Sequence, residues 1–95
     1  MNHTVAIDAV FTALADERRR HLLEVLAESG PMSASDLADQ WEISRQAIAK
    51  HLHILEQADL VERQRRGRAI CYAVNPHQLG ATGRWLTRAA ARWQQ

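Results

Sequence analysis

Residues 33–57, SASDLADQWEISRQAIAKHLHILEQ, read as two helical segments joined by a short turn. In the second segment Ile48, Leu52 and Leu55 fall at i, i+4 and i+7, with Ala47 and His51 flanking them. That spacing places apolar side chains on one side of a helix. The other side carries Arg45, Gln46, Ala49, Lys50 and His53, long donors around one small residue. Ser44 stands just before the segment, where its hydroxyl can cap the first free backbone N–H groups. The first segment opens on Ser33 with Asp36 three residues on, a variant of the capping box. Leu37 and Ala38 supply its apolar side, and Trp41-Glu42-Ile43 makes the turn. Two helices in this arrangement, the second with a donor-rich outer face, form the unit that lays a recognition helix in a DNA major groove.

Working outward, the segment after this unit predicts a hairpin. Ala58-Asp59 ends the second helix, Asp being one of the few residues besides glycine that tolerate a left-handed cap. Leu60–Arg65 looks like a strand, Arg66-Gly67-Arg68 the turn, and Ala69–Val74 a returning strand rich in β formers. A hairpin directly after a recognition helix is the wing of a winged helix. Its tip gathers Arg65, Arg66 and Arg68 around a glycine, a composition suited to a DNA backbone or minor groove.

Toward the N-terminus, Val5, Ile7, Val10, Phe11 and Leu14 mark a short amphipathic helix. Asp16 caps a second helix whose His21, Leu22, Val25 and Leu26 face inward, and Gly30-Pro31 stops it. In the run Arg18-Arg19-Arg20, Arg18 or Arg19 is read as pairing with Asp16 or Glu24 rather than as a phosphate contact. At the other end Asn75-Pro76 starts a last helix, weakened at first by Gly80 and Gly83. From Arg84 on, Trp85, Leu86, Ala89, Ala90 and Trp93 share one face, with Arg84, Arg88 and Arg92 on the other. Two tryptophans on the terminal helix of so small a chain are hard to bury within it. The stripe is therefore read as a dimer face, packed with Val10 and Phe11 of the first helix and formed by Trp85, Leu86, Ala89 and Trp93.

Composition bounds these readings. Ninety-five residues make one domain, 1–95, with helix-turn-helix 33–57, wing 60–74 and C-terminal helix 76–95. Nearly half the residues are apolar, so the chain is globular rather than disordered. No apolar run approaches the ~20 residues that span a bilayer, and no signal peptide is visible; the expected location is cytoplasmic, with no membrane partner. The single cysteine, Cys71, excludes an internal disulfide and any multi-cysteine zinc site, and is expected to be a half-buried, inert thiol.

The net charge of +1 conceals an uneven distribution. Residues 1–43 hold three Arg against eight acids, net −5; residues 44–70 hold six Arg or Lys against three acids, net +3; residues 71–95 hold three Arg and no acid. The positive charge lies on the proposed reading segment and the residues after it, as expected of a protein facing phosphates. No Gly-rich phosphate loop, carboxylate pair or nucleophile-base grouping is present, so an enzyme is not expected. The histidines form no chelate by spacing: His51 and His53 point to different sides of a helix, and His21 is expected at the core edge.

Three stretches, FTALADERRRHLLEVL (11–26), SASDLADQWEISRQAIAKHLHIL (33–55) and ADLVERQRRGRAICYAV (58–74), together resemble the ArsR family of dimeric winged-helix repressors. The resemblance covers about residues 7–79 and implies a mainly α chain of order α-α-α-α-β-β-α with a small β-hairpin. It also implies dimerisation through the first and last helices and binding to a palindromic operator on double-stranded DNA. Where many metal-sensing members carry two cysteines one residue apart, this chain has Ser33 and Ser35. A hydroxyl is a poor soft-metal ligand, and the last helix offers no His, Asp or Glu after His77, so no metal and no cofactor are expected.

The sequence thus predicts a homodimeric, sequence-specific DNA-binding regulator, a repressor, whose effector it does not name. Its DNA contacts would be Ser44, Arg45, Gln46, Ala49, Lys50 and His53 on the recognition helix and Arg65, Arg66 and Arg68 on the wing. The alternatives are a winged helix used for protein–protein assembly, or architectural DNA binding with weak sequence preference.

Overall fold

The computed structural model describes residues 3–94, with side chains from residue 7 onward; the apolar character expected of Val5 lies outside the described side chains. The elements run α1 (His3–Leu14), α2 (Glu17–Ser29), β1 (Met32–Ser33), α3 (Ala34–Trp41), α4 (Arg45–Gln57), β2 (Val61–Arg66), β3 (Ala69–Val74) and α5 (Pro76–Trp93). The mainly helical fold with a hairpin wing is the one the sequence predicts. A third strand, β1, adds to the hairpin to give an antiparallel sheet of order β1-β3-β2.

Local chemistry sets the helix boundaries. The side chain of Asp16 accepts from the backbone N–H of Arg18, Ser33 from Asp36, Ser44 from Ala47 and Asn75 from His77. Each cap satisfies a donor that the first helical turn cannot pair itself. Gly30, at φ 82°, turns the chain out of α2 and returns its N–H to Leu26. Glu42 and Asp59 also take left-handed conformations, at φ 53° and 59°, ending α3 and turning the chain out of α4.

One cluster of buried side chains joins these elements. Val10 and Ala13 of α1, Leu22 and Leu26 of α2, Leu37 of α3 and Ile48, Leu52 and Leu55 of α4 converge there, closed by Leu60 and Val61 at the base of the wing. Ile48, Leu52 and Leu55 are each fully buried, as their spacing predicts. Burying each such side chain is worth about 1.5–3 kcal/mol.

The wing register pairs Val61 with Val74 through to Arg66 with Ala69, leaving a two-residue loop of Gly67 and Arg68. The turn is thus one residue shorter than predicted, and β2 begins at Val61 rather than Leu60. Gly67, at φ 62°, fits the first position of a II′-type turn, which favours glycine. Arg63 Nε donates to Glu56 Oε2 at 2.7 Å, fastening the wing to the end of α4. On the other edge of β3, Met32 pairs with Tyr72 and Ser33 with Cys71.

The last helix runs unbroken from Pro76 through Gly80 and Gly83. Buried Thr82 sits between the two glycines and donates its hydroxyl to the Gln78 carbonyl at 2.9 Å. Each glycine costs roughly 1 kcal/mol in a helix interior, yet the helix continues through both.

Candidate nucleic-acid interface

Helix α4 is divided by its own sequence. Its inner side is buried, whereas Ser44, Arg45, Gln46, Ala49, Lys50 and His53 are all exposed. Among the described residues neither Arg45 nor Lys50 has an ion-pair partner, and the only acid on the helix, Glu56, is taken by Arg63. The outer face therefore presents uncompensated donors. Its N-terminus, capped by Ser44, adds the positive end of the helix dipole.

Most of this face lines one shallow depression, formed by Ser44, Gln46, Ala49, Lys50 and His53. Ala47 and Ile54 complete its floor. The sequence pattern assigns Ala47 to the flank of the apolar stripe and gives Ile54 no role, yet both stay half-buried at the edge of the outer face. They bring apolar surface of the kind that meets a thymine methyl group. Their spacing, one turn before and one turn after Lys50, is the signal that marks them.

The wing places Arg65, Arg66 and Arg68 in solvent, also without ion-pair partners among the described residues. Arg65 stands opposite Ile70 and Arg66 opposite Ala69, so the cations cluster at the tip. The ion pair from Glu56 to Arg63 couples that tip to α4.

The run Arg18-Arg19-Arg20 is used inside the chain. Arg19 donates to the carbonyls of Ala13 (2.7 Å) and Thr12 (3.1 Å), and Arg20 to that of Leu14 (2.6 Å). The Ala13 and Leu14 carbonyls are ones that the end of α1 leaves unpaired, while that of Thr12 also accepts the Ala15 N–H at 3.3 Å. Arg19 also lies 3.6 Å from Asp16, in line with the pairing the sequence predicts. The Arg18 backbone N–H, and then the Arg19 guanidinium, hold the Asp16 carboxyl below its ordinary 3.8.

The residues expected at a dimer face divide in two. Val10 and Ala89 are buried within the chain. Phe11, Trp85 and Leu86 are exposed, and Trp93 is 75% exposed. Phe11 and Trp85 meet edge to face at 6.1 Å, joining α1 and α5 in one apolar surface.

Cys71 is buried in the central strand. Among the described residues no three His, Cys, Asp or Glu side chains converge as metal ligands. Ser33 Oγ is engaged in capping α3, accepting from Asp36 at 3.1 Å. No helix of the described residues is long and apolar enough to cross a membrane.

A buried-backed recognition helix followed by an arginine-tipped wing defines the winged helix-turn-helix class of DNA-binding regulators. A helix-turn-helix domain family matches residues 14–64. The transcriptional repressor SdpR of Bacillus subtilis is 38% identical over 77 residues, 81% of this chain and 84% of SdpR. The regulator Rv2034 of Mycobacterium tuberculosis is 36% identical, covering 93% of this chain and 85% of its own. An ArsR-like transcriptional regulator from Rhodococcus sp. RHA1 superposes with a TM-score of 0.84 at 41% identity, over 99% of this chain and 88% of that one. The chain belongs to the ArsR family of transcriptional regulators, and it is a DNA-binding protein rather than an enzyme.

Proposed function

We propose that the chain is a homodimeric repressor that reads an inverted-repeat operator. One observation carries this: α4 turns Arg45, Gln46, Ala49, Lys50 and His53 to solvent with Ile48, Leu52 and Leu55 fully buried behind them. Arg45 or Lys50 would donate to guanine O6/N7, and Gln46 would pair with adenine. Ser44, at the helix N-terminus, and the wing arginines Arg65, Arg66 and Arg68 would hold phosphates and fix the register.

A second copy would pack against Phe11, Trp85, Leu86 and Trp93, over the buried Val10 and Ala89. This apolar surface supports the dimer, because interface cores are enriched in aromatic side chains. Two recognition helices related by a two-fold axis would enter successive major grooves ~34 Å apart. The whole chain, residues 1–95, would then act as one DNA-binding and dimerising domain. With serines where the family's metal sensors carry cysteines, a soft metal is not proposed as effector.

The test is stoichiometry. Sedimentation of the complex with a duplex selected from random sequence should give two chains per duplex. One chain per duplex, with the free protein monomeric at micromolar concentration, contradicts the dimer.

A further inference from the structure

On the side of α4 away from the DNA-facing residues the structure contains a partly open cavity of about 270 Å³. Its walls are apolar: Leu22 from α2, Trp41 at the end of α3, Ile43 from the turn and Ile48 from α4. The remaining lining residues, Arg18, His21 and His51, are cationic or hydrogen-bonding, and no acidic side chain takes part. Among the described residues the Arg18 side chain has no ion-pair partner.

We propose that this cavity binds a small apolar monocarboxylate, a single aromatic ring bearing a short acid chain, and that its occupancy changes how α4 is seated. Size sets the first limit. Ligand pockets begin near ~300 Å³, and a dry cavity of about 150 Å³ holds benzene, so one ring with two or three further atoms fits here. The walls choose an apolar body. His21 and Trp41 already meet edge to face at 5.1 Å, which sets an aromatic surface at the cavity.

The rim chooses the charge. Arg18 offers a free guanidinium to an anion. Arg19 Nη1 stands 3.5 Å from His51 Nδ1. A guanidinium has no acceptor, so this contact is a hydrogen bond only with Nδ1 accepting, which leaves Nε2 as the ring's donor. His51 is then a donor toward an occupant. A carboxylate satisfies both groups, whereas an ammonium ion would meet only donors.

Position links the cavity to DNA binding. Ile43 immediately precedes the Ser44 cap, and Ile48 and His51 stand on the inner side of the helix whose outer side faces DNA. An occupant that presses on them biases the same rigid element that DNA engages, and coupling of this kind is reciprocal. That coupling rests on the DNA-binding reading; ligand binding itself does not.

The experiment titrates phenylacetate into isotopically labelled full-length protein without DNA and follows backbone amide and Trp41 indole resonances. Expected are saturable shifts centred on Arg18, His21, Ile43, Ile48 and His51, with Kd below about 1 mM. Phenylacetamide, the uncharged isostere, should bind at least about tenfold more weakly, and Arg18→Gln should lose about as much. Ile43→Trp, which fills the cavity, should abolish the shifts; since a large side chain there can disturb folding, the exposed Arg18→Gln stands as the independent variant. Saturating phenylacetate should then change the protein's affinity for a selected duplex about fivefold or more.

No saturable shift up to about 10 mM, equal binding of acid and amide, or shifts centred on Phe11 and Trp93 would each overturn the site. Binding at the cavity with unchanged DNA affinity would overturn the coupling. Failure to bind any DNA would instead count against the proposed function.

Discussion

Arg19 Nη1 lies 3.5 Å from His51 Nδ1, so a side chain from the first turn of α2 touches the inner flank of the recognition helix. The same guanidinium donates to the carbonyls of Ala13 and Thr12 at the end of α1. One residue therefore ties the helix bearing Phe11 to the helix proposed to face DNA. Only 12% of its side chain is exposed, so these bonds form largely out of water. Arg19→Ala should lower the unfolding free energy by about 1.5–3 kcal/mol, the range for hydrogen bonds to charged groups. Arg18→Ala, at an exposed neighbour, should stay within about 0.5 kcal/mol. Urea unfolding of the two variants side by side makes the comparison, and equal losses would deny Arg19 its role.

Asp16 gives a pH dependence with a definite sign. Its carboxyl is held below 3.8 in the folded chain, first by the Arg18 backbone N–H and then by Arg19. A depressed folded value means that the unfolded chain binds the proton more readily. The Asp16 contribution is therefore fully present above the ordinary value of 3.8 and is lost as pH falls through the lower folded value. Asp16→Asn should remove that part of the acid limb while leaving the slope near neutrality unchanged. Thermal unfolding from acid to neutral pH reads it, and an unchanged acid limb would show that the charge on Asp16 contributes nothing there.

Ser44 both caps α4 and stands at the end proposed to face DNA. Ser44→Ala loses the bond to the Ala47 N–H and should cost about 1 kcal/mol of stability. Ser44→Asp should restore the cap but place a negative charge toward phosphates. Its stability should recover while its DNA affinity falls below that of Ser44→Ala. Chemical denaturation and duplex titration together separate the two effects.

Base reading and phosphate contact should fail differently. Gln46→Ala should cost about 1–3 kcal/mol on the preferred duplex and relax selectivity at one base pair. Arg66→Ala should weaken all sequences alike and lower the slope of log K against log salt by about one. A uniform loss from Gln46→Ala would make it a positioning residue, and an unchanged slope for Arg66→Ala would remove the wing tip from the interface.

The aromatic face has its own signature. Leu86→Glu or Trp93→Ser, each at an exposed position, should leave the monomer fold intact by circular dichroism while shifting sedimentation toward one chain. Ala89 is buried, so a larger residue there should instead destabilise the chain itself. Unaltered dimers in the first two variants would place the partner elsewhere.

Much of the fold is legible in the sequence because its signals are local. The burial of Ile48, Leu52 and Leu55 follows from spacing alone, and Asp16, Ser33, Ser44 and Asn75 announce caps by bonding within three residues. Strand β1 is not legible: two residues carry no periodicity, and their partners Tyr72 and Cys71 lie far along the chain. Ser33 adds to the concealment by serving as strand residue and helix cap together. The continuity of α5 is hidden by Gly80 and Gly83, which disfavour a helix interior, and buried Thr82 between them carries no signal in the sequence. The role of Arg19 cannot be read either, since a run of arginines looks the same whether it faces phosphates or helix-end carbonyls. The cavity under α4 is likewise tertiary, assembled from residues that the sequence assigns separately to the core (Leu22, Ile48), the turn (Trp41, Ile43) and the core edge (His21).

The central claim is that paired α4 helices read a two-fold DNA sequence. The most direct measurement selects from random duplex DNA on the purified protein at about 150 mM salt, near physiological ionic strength. Paired helices predict recovery of an inverted repeat with half-sites about one helical turn apart, ~34 Å centre to centre. Recovery of no consensus, or of a single unrepeated half-site, would contradict it.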